Sequence, residues 1–120
     1  MQLVADIVVG LVALLHVYIL VLEMFLWDKP AGLRAFKQTP ESARASKTLA
    51  ANQGLYNGFL AAGLAWGLSL GAGGHGVKLF FLGCVLVAGV YGGLSASRKI
   101  LFVQALPAVL GLAAVLLAGG

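Results

Sequence analysis

Hydrophobic residues fall into four long runs, and charged residues are gathered almost entirely in the gaps between them. The runs cover residues 3–27, 48–70, 77–96 and 100–118. Each is near the ~20 residues a helix needs to cross the hydrocarbon of a bilayer, so the pattern predicts four transmembrane helices. Pro30, just after Asp28 and Lys29, ends the first, because proline cannot continue the hydrogen-bond ladder. The first run is too long for a signal-peptide core and has no basic segment before it, so it reads as a retained helix.

The gaps differ in kind. Residues 28–47 form a polar, basic loop in which Thr39-Pro40-Glu41 has the pattern of a helix start, with Thr39 as cap. Within it, Leu33 and Phe36 either dip into the headgroup layer beside their basic neighbours or belong to an ordinary solvated loop. Residues 71–76 hold four glycines and read as a flexible turn. Only Ser97, Arg98 and Lys99 separate the last two runs, which makes those helices antiparallel neighbours. The expected architecture is an all-α integral membrane four-helix bundle, up-down-up-down, forming one domain over residues 1–120.

Composition excludes a soluble fold. The chain is 61% hydrophobic and 10% charged, with mean hydropathy +1.00, whereas a soluble domain carries about a quarter charged residues. Seven of the eight Lys and Arg lie in the first and third gaps, and Lys78 beside the second is the eighth. That bias puts the basic loop 28–47 in the cytoplasm and both termini outside. It accounts for the net charge of +4 by topology rather than by nucleic-acid binding. The single cysteine, Cys84, forms no intramolecular disulfide and reads as a small buried hydrophobe. Gly54, Gly58 and Ala62 form a small-residue stripe on the second helix, and Ala88/Gly92 and Gly89/Gly93 repeat the pattern on the third. Such stripes signal close helix contact, within one chain or between copies in a homo-oligomer.

The polar residues inside the runs share nearly one depth. At about 1.5 Å per residue, Glu23 lies about 6 Å inside Trp27, itself a candidate interfacial anchor. Asn52, Gln53, Tyr56 and Asn57 occupy a similar depth and, at about 100° per residue, one arc of about 140°. Tyr91 and Gln104 each lie about one turn or more from the third gap. His16 points nearly the same way as Glu23, about two turns deeper. Pro107 leaves the Val103 carbonyl without its usual donor, which predicts a kink and a free acceptor near Gln104.

A carboxyl in hydrocarbon pairs with donors or takes up a proton. No Lys or Arg shares the depth of Glu23. Glu23 is therefore expected within hydrogen-bond reach of at least one of Asn52, Gln53, Tyr56, Asn57, Tyr91 or Gln104. These residues and His16 form the candidate ligand-binding set. Asn and Gln also serve as plain interhelical links, Tyr91 sits among glycines that serve close packing, and His16 reads equally as an interior histidine.

No HExxH, P-loop, GxSxG or cysteine pair is present, two histidines and one deep acid make no metal site, and the sequence names no cofactor. Three classes of function remain. The first is binding or transport of an ion or a small apolar or cationic molecule through Glu23. The second is a membrane enzyme using Glu23 as acid/base on a lipid- or quinone-like substrate. The third is a structural or assembly subunit whose polar layer is self-satisfied.

Four segments carry a family resemblance: LEMFLW at 22–27, NQGLYNGFLAAGL at 52–64, VAGVYGGL at 87–94 and VQALPAVL at 103–110. Together they resemble the small four-helix membrane family known as domain of unknown function thirteen-hundred-and-four, over nearly the whole chain. The resemblance implies a multi-pass protein of the bacterial inner membrane and supplies no activity or ligand.

Overall fold

The computed structural model describes residues 1–119. The chain is all-helical, with no strand among these residues. Five α-helices follow in order: α1 (Gln2–Met24), α2 (Pro30–Phe36), α3 (Pro40–Ser69), α4 (His75–Ser95) and α5 (Leu106–Gly119). A 3₁₀ turn at Gly71–Gly74 leads into α4, and a π-helical turn at Leu101–Ala105 leads into α5. Three stretches are long and apolar enough to cross a membrane: Gln2–Met24, Gly71–Ser95 and Leu101–Gly119. α3 is not among them. Its first turns carry Glu41, Arg44 and Lys47, and Asn52, Gln53 and Asn57 dilute the apolar run that follows.

The stretch expected as a loop over residues 28–47 is mostly helical. Pro30 opens α2, and Lys37 closes it in the left-handed conformation at φ 52°, ψ 47°. α3 then begins at Pro40 rather than near residue 48. The Ser42 N–H donates to Thr39 Oγ1 at 3.1 Å, so the Thr39-Pro40 signal marks the true helix start.

The chain divides into two compact units, residues 14–59 and residues 1–13 together with the chain from Leu60 onward. In the unit of residues 14–59, a small core gathers Trp27, Ala43 and Ala50, with Leu33 and Phe36 packed against it. The Trp27 and Phe36 rings lie 4.8 Å apart, and the Trp27 Nε1–H donates to Ser46 Oγ at 3.1 Å. Trp27 is thus buried, and Leu33 and Phe36, half-buried, pack against it. An indole with both an apolar pocket and a hydroxyl acceptor satisfies its ring and its N–H in one place.

The other unit is built on Val9, Val12, Leu64, Leu82, Val85, Ala108 and Val115. Here the glycine stripe of α4 does its packing within the chain. A Cβ on Gly89 would stand 2.6 Å from the Ala105 nitrogen, and one on Gly93 would overlap Leu101. The π turn lies where proline predicts a break. The Leu106 N–H bonds to the Leu101 carbonyl five residues back, and Pro107 has no N–H to restore the α register.

Candidate functional site

Glu23 sits in the last turn of α1, only 6% exposed. Asn57 Nδ2 donates to Glu23 Oε1 at 2.6 Å, across from α3. Glycine makes this approach possible. A Cβ on Gly54 would stand 2.5 Å from Met24 Cγ, 3.1 Å from Glu23 Cβ and 3.3 Å from the Leu20 carbonyl, and one on Gly58 would stand 2.7 Å from Leu20 Cδ1. The stripe on α3 therefore packs on α1 of the same chain, and it turns Asn57 toward the carboxyl.

Among the described residues Glu23 joins no ion pair. Its hydrogen-bond partner is a neutral amide, which serves either protonation state by donating to an oxygen that is an acceptor in both. The arrangement can hold a carboxylic acid, or a carboxylate with a proton or another monovalent cation beside it, without a resident positive side chain competing for the charge.

The remaining candidates are dispersed. Asn52 and Gln53 are exposed on α3. Tyr56 is 60% exposed, with its ring 6.0 Å from that of Phe59. Of the four candidates on this helix, Asn57 is the one that hydrogen-bonds Glu23 among the described residues. Tyr91 is 74% exposed, and its carbonyl accepts from Ser95 Oγ at 2.6 Å. Gln104 is half-buried in the π turn. His16 is fully buried.

One charged arrangement escapes the sequence reading. Lys78, counted there as a loop-side cation, is 2% exposed. Its Nζ lies 3.2 Å from Asp6 Oδ1, which also accepts from Gln2 Nε2 at 3.0 Å. A cavity of about 200 Å³ opens beside this pair, lined by Gln2, Ala5, His75, Lys78 and Val115 among others. The sequence signal was slight: Lys78 falls in the first turn of a long apolar helix, where only a paired or snorkelling lysine is tolerated.

A scan against protein families matches residues 10–116 to the family described as "Protein of unknown function (DUF1304)". The chain belongs to this family. The matched stretch holds Glu23, the α3 amides, Tyr91 and Gln104. The chain is also similar to "Uncharacterized protein YpaA" of Lactococcus lactis subsp. lactis (strain IL1403), with 32% identity over 104 residues, covering 85% of this chain and 87% of the relative. This DUF1304 member matches no solved structure.

Proposed function

We propose that this chain is a multi-pass protein of the bacterial inner membrane that binds or transports an ion or a small apolar or cationic molecule, with the Glu23 carboxyl exchanging a proton for its cargo. The observation that carries the reading is a carboxyl buried at the end of an apolar helix, hydrogen-bonded to Asn57 and, among the described residues, in no ion pair. An acid is a costly choice for a structural link that Asn or Gln would supply. Two family and sequence features support the setting. The chain belongs to a bacterial family. Its basic residues also cluster before and in the first turns of α3 and between α4 and α5, which favours a cytoplasmic side for those segments and an outward side for both termini. In this reading α3 is the fourth membrane-crossing helix, its apolar part running from about residue 48, and the four long helices run up-down-up-down.

The test uses the purified protein in detergent, with the lipophilic cation tetraphenylphosphonium as probe. Calorimetry in weakly buffered solution is expected to show binding with release of about one proton per cation bound. Glu23→Gln is expected to bind without proton release, or not at all, while keeping its helical circular dichroism. Absence of both cation binding and proton release in the wild type overturns the proposal. So does unchanged proton release from Glu23→Gln.

A further inference from the structure

The outward face of α3 carries a polar load that the chain itself leaves unmet. Asn52 and Gln53 are exposed, and neither side chain makes a hydrogen bond among the described residues. Around them stand Leu49, Leu55, Tyr56 and Phe59, all exposed. The polar boundary of this unit is marked by Lys47, whose Nζ lies 3.0 Å from Asp28 Oδ2, and by the bond from Trp27 to Ser46. Asn52 and Gln53 lie five and six residues further along α3, about 8–9 Å past that boundary at about 1.5 Å per residue. With α3 crossing the membrane as in the function proposed above, amides at such a depth find no partner in lipid tails, and each unmet donor or acceptor is costly.

We propose that this face, centred on Asn52, Gln53 and Tyr56, is where a second copy of the chain docks. Three features select a second copy as the occupant. A carboxamide is both donor and acceptor, so it is complementary to itself. Two copies inserted with the same orientation are related by a two-fold axis along the membrane normal. Asn52 then meets Asn52 of the partner subunit at the same depth, in a self-complementary interface. Gly54 and Gly58 of α3 are already spent within the chain on Leu20, Glu23 and Met24, so close packing at these glycines is not what the helix offers a neighbour, whereas its exposed amides are. Tyr56 and Phe59 add the aromatic area typical of interface cores. The inference stands apart from the role of Glu23, which packs against Gly54 and bonds to Asn57.

Two measurements on the full chain test it. In a Cys84→Ala background, Thr48→Cys and Leu55→Cys on this face are expected to form disulfide-linked dimers in native membranes, and Leu117→Cys on α5 is not. In liposomes of bacterial phospholipid, photobleaching counts at falling protein density are expected to show a monomer–dimer equilibrium. The Asn52→Leu/Gln53→Leu double variant is expected to raise the dissociation constant at least tenfold, while Asn52→Gln, which keeps an amide, shifts it far less. Both variants are checked for native helical content. A monomer at every density overturns the proposal, whatever lipid or other protein accompanies it. Dimers linked through Leu117→Cys but not Thr48→Cys, or a dissociation constant unmoved by the double variant, overturn it as well.

Discussion

Glu23 and Asn57 stand thirty-four residues apart in the chain and 2.6 Å apart in space. Their bond depends on Gly54 and Gly58, which leave no side chain between the two backbones. The acid and the amide are therefore one unit, and replacing either with an apolar side chain strands the other.

Glu23→Gln is expected to be nearly neutral for stability, because an amide oxygen still accepts from Asn57. Glu23→Leu is expected to cost about 1–3 kcal/mol by leaving the Asn57 donor unpaired. Equilibrium unfolding in mixed micelles compares the two directly. Equal losses from both variants would show that the hydrogen bond contributes nothing to the fold.

The pair between Lys78 and Asp6 predicts an asymmetry. Lys78 is almost fully buried, whereas the Asp6 side chain remains 41% exposed. Asp6→Ala strands a buried ammonium and is expected to cost about 3 kcal/mol. Lys78→Met replaces the cation with an apolar chain of similar length and leaves Asp6 partly hydrated, so its expected cost is within about 1 kcal/mol. Thermal unfolding of the two single variants reads the difference, and equal costs would contradict it.

Two glycines that look alike in sequence are expected to behave oppositely. A Cβ on Gly32 would overlap the Leu26 carbonyl and stand 2.9 Å from Trp27 Cα, backbone atoms that have little room to yield. Gly32→Ala is expected to destabilise by about 1–3 kcal/mol. At Gly83, in the middle of α4, nothing lies within 4 Å of the added methyl. Gly83→Ala is expected to stabilise by about 0.5–1 kcal/mol through lower unfolded-state entropy. The same unfolding assay checks both signs.

Acid should weaken the unit around Trp27. The Lys47 ammonium donates to the Asp28 carboxyl at 3.0 Å and holds its pKa below the usual carboxylate range. A depressed folded-state pKa contributes stability above the unfolded value of about 3.9, and that contribution is lost as pH falls through the folded value. The stability gap between wild type and Asp28→Asn is therefore expected to stay constant from about pH 5 to 8 and to close below about pH 4. A gap that persists unchanged at pH 2–3 would refute the assignment.

Much of this was legible beforehand. The apolar runs located α1, α4 and the last helix, Thr39-Pro40 located the start of α3, and Pro107 located the disturbed turn after Leu101. Glu23 was recognisable because a carboxyl in an apolar run must find a donor. Residues 28–47 read as a loop with a helix start at Thr39 because the residues that form α2 and the first turns of α3 are mostly polar, and Leu33 and Phe36 find their partner, Trp27, only in the folded chain.

The sequence by itself determined where the long apolar runs lie, where α3 starts, and that Glu23 needs a partner. Each follows from local chemistry: backbone hydrogen bonding, side-chain transfer cost and the missing N–H of proline. Only the tertiary structure decided that Asn57 is that partner while Asn52, Gln53 and Tyr56 face outward, and that Lys78 is buried against Asp6. Periodicity fixes the angles between residues on one helix. The rotation of that helix about its own axis is set by what packs against it, and here Gly54 and Gly58 set it.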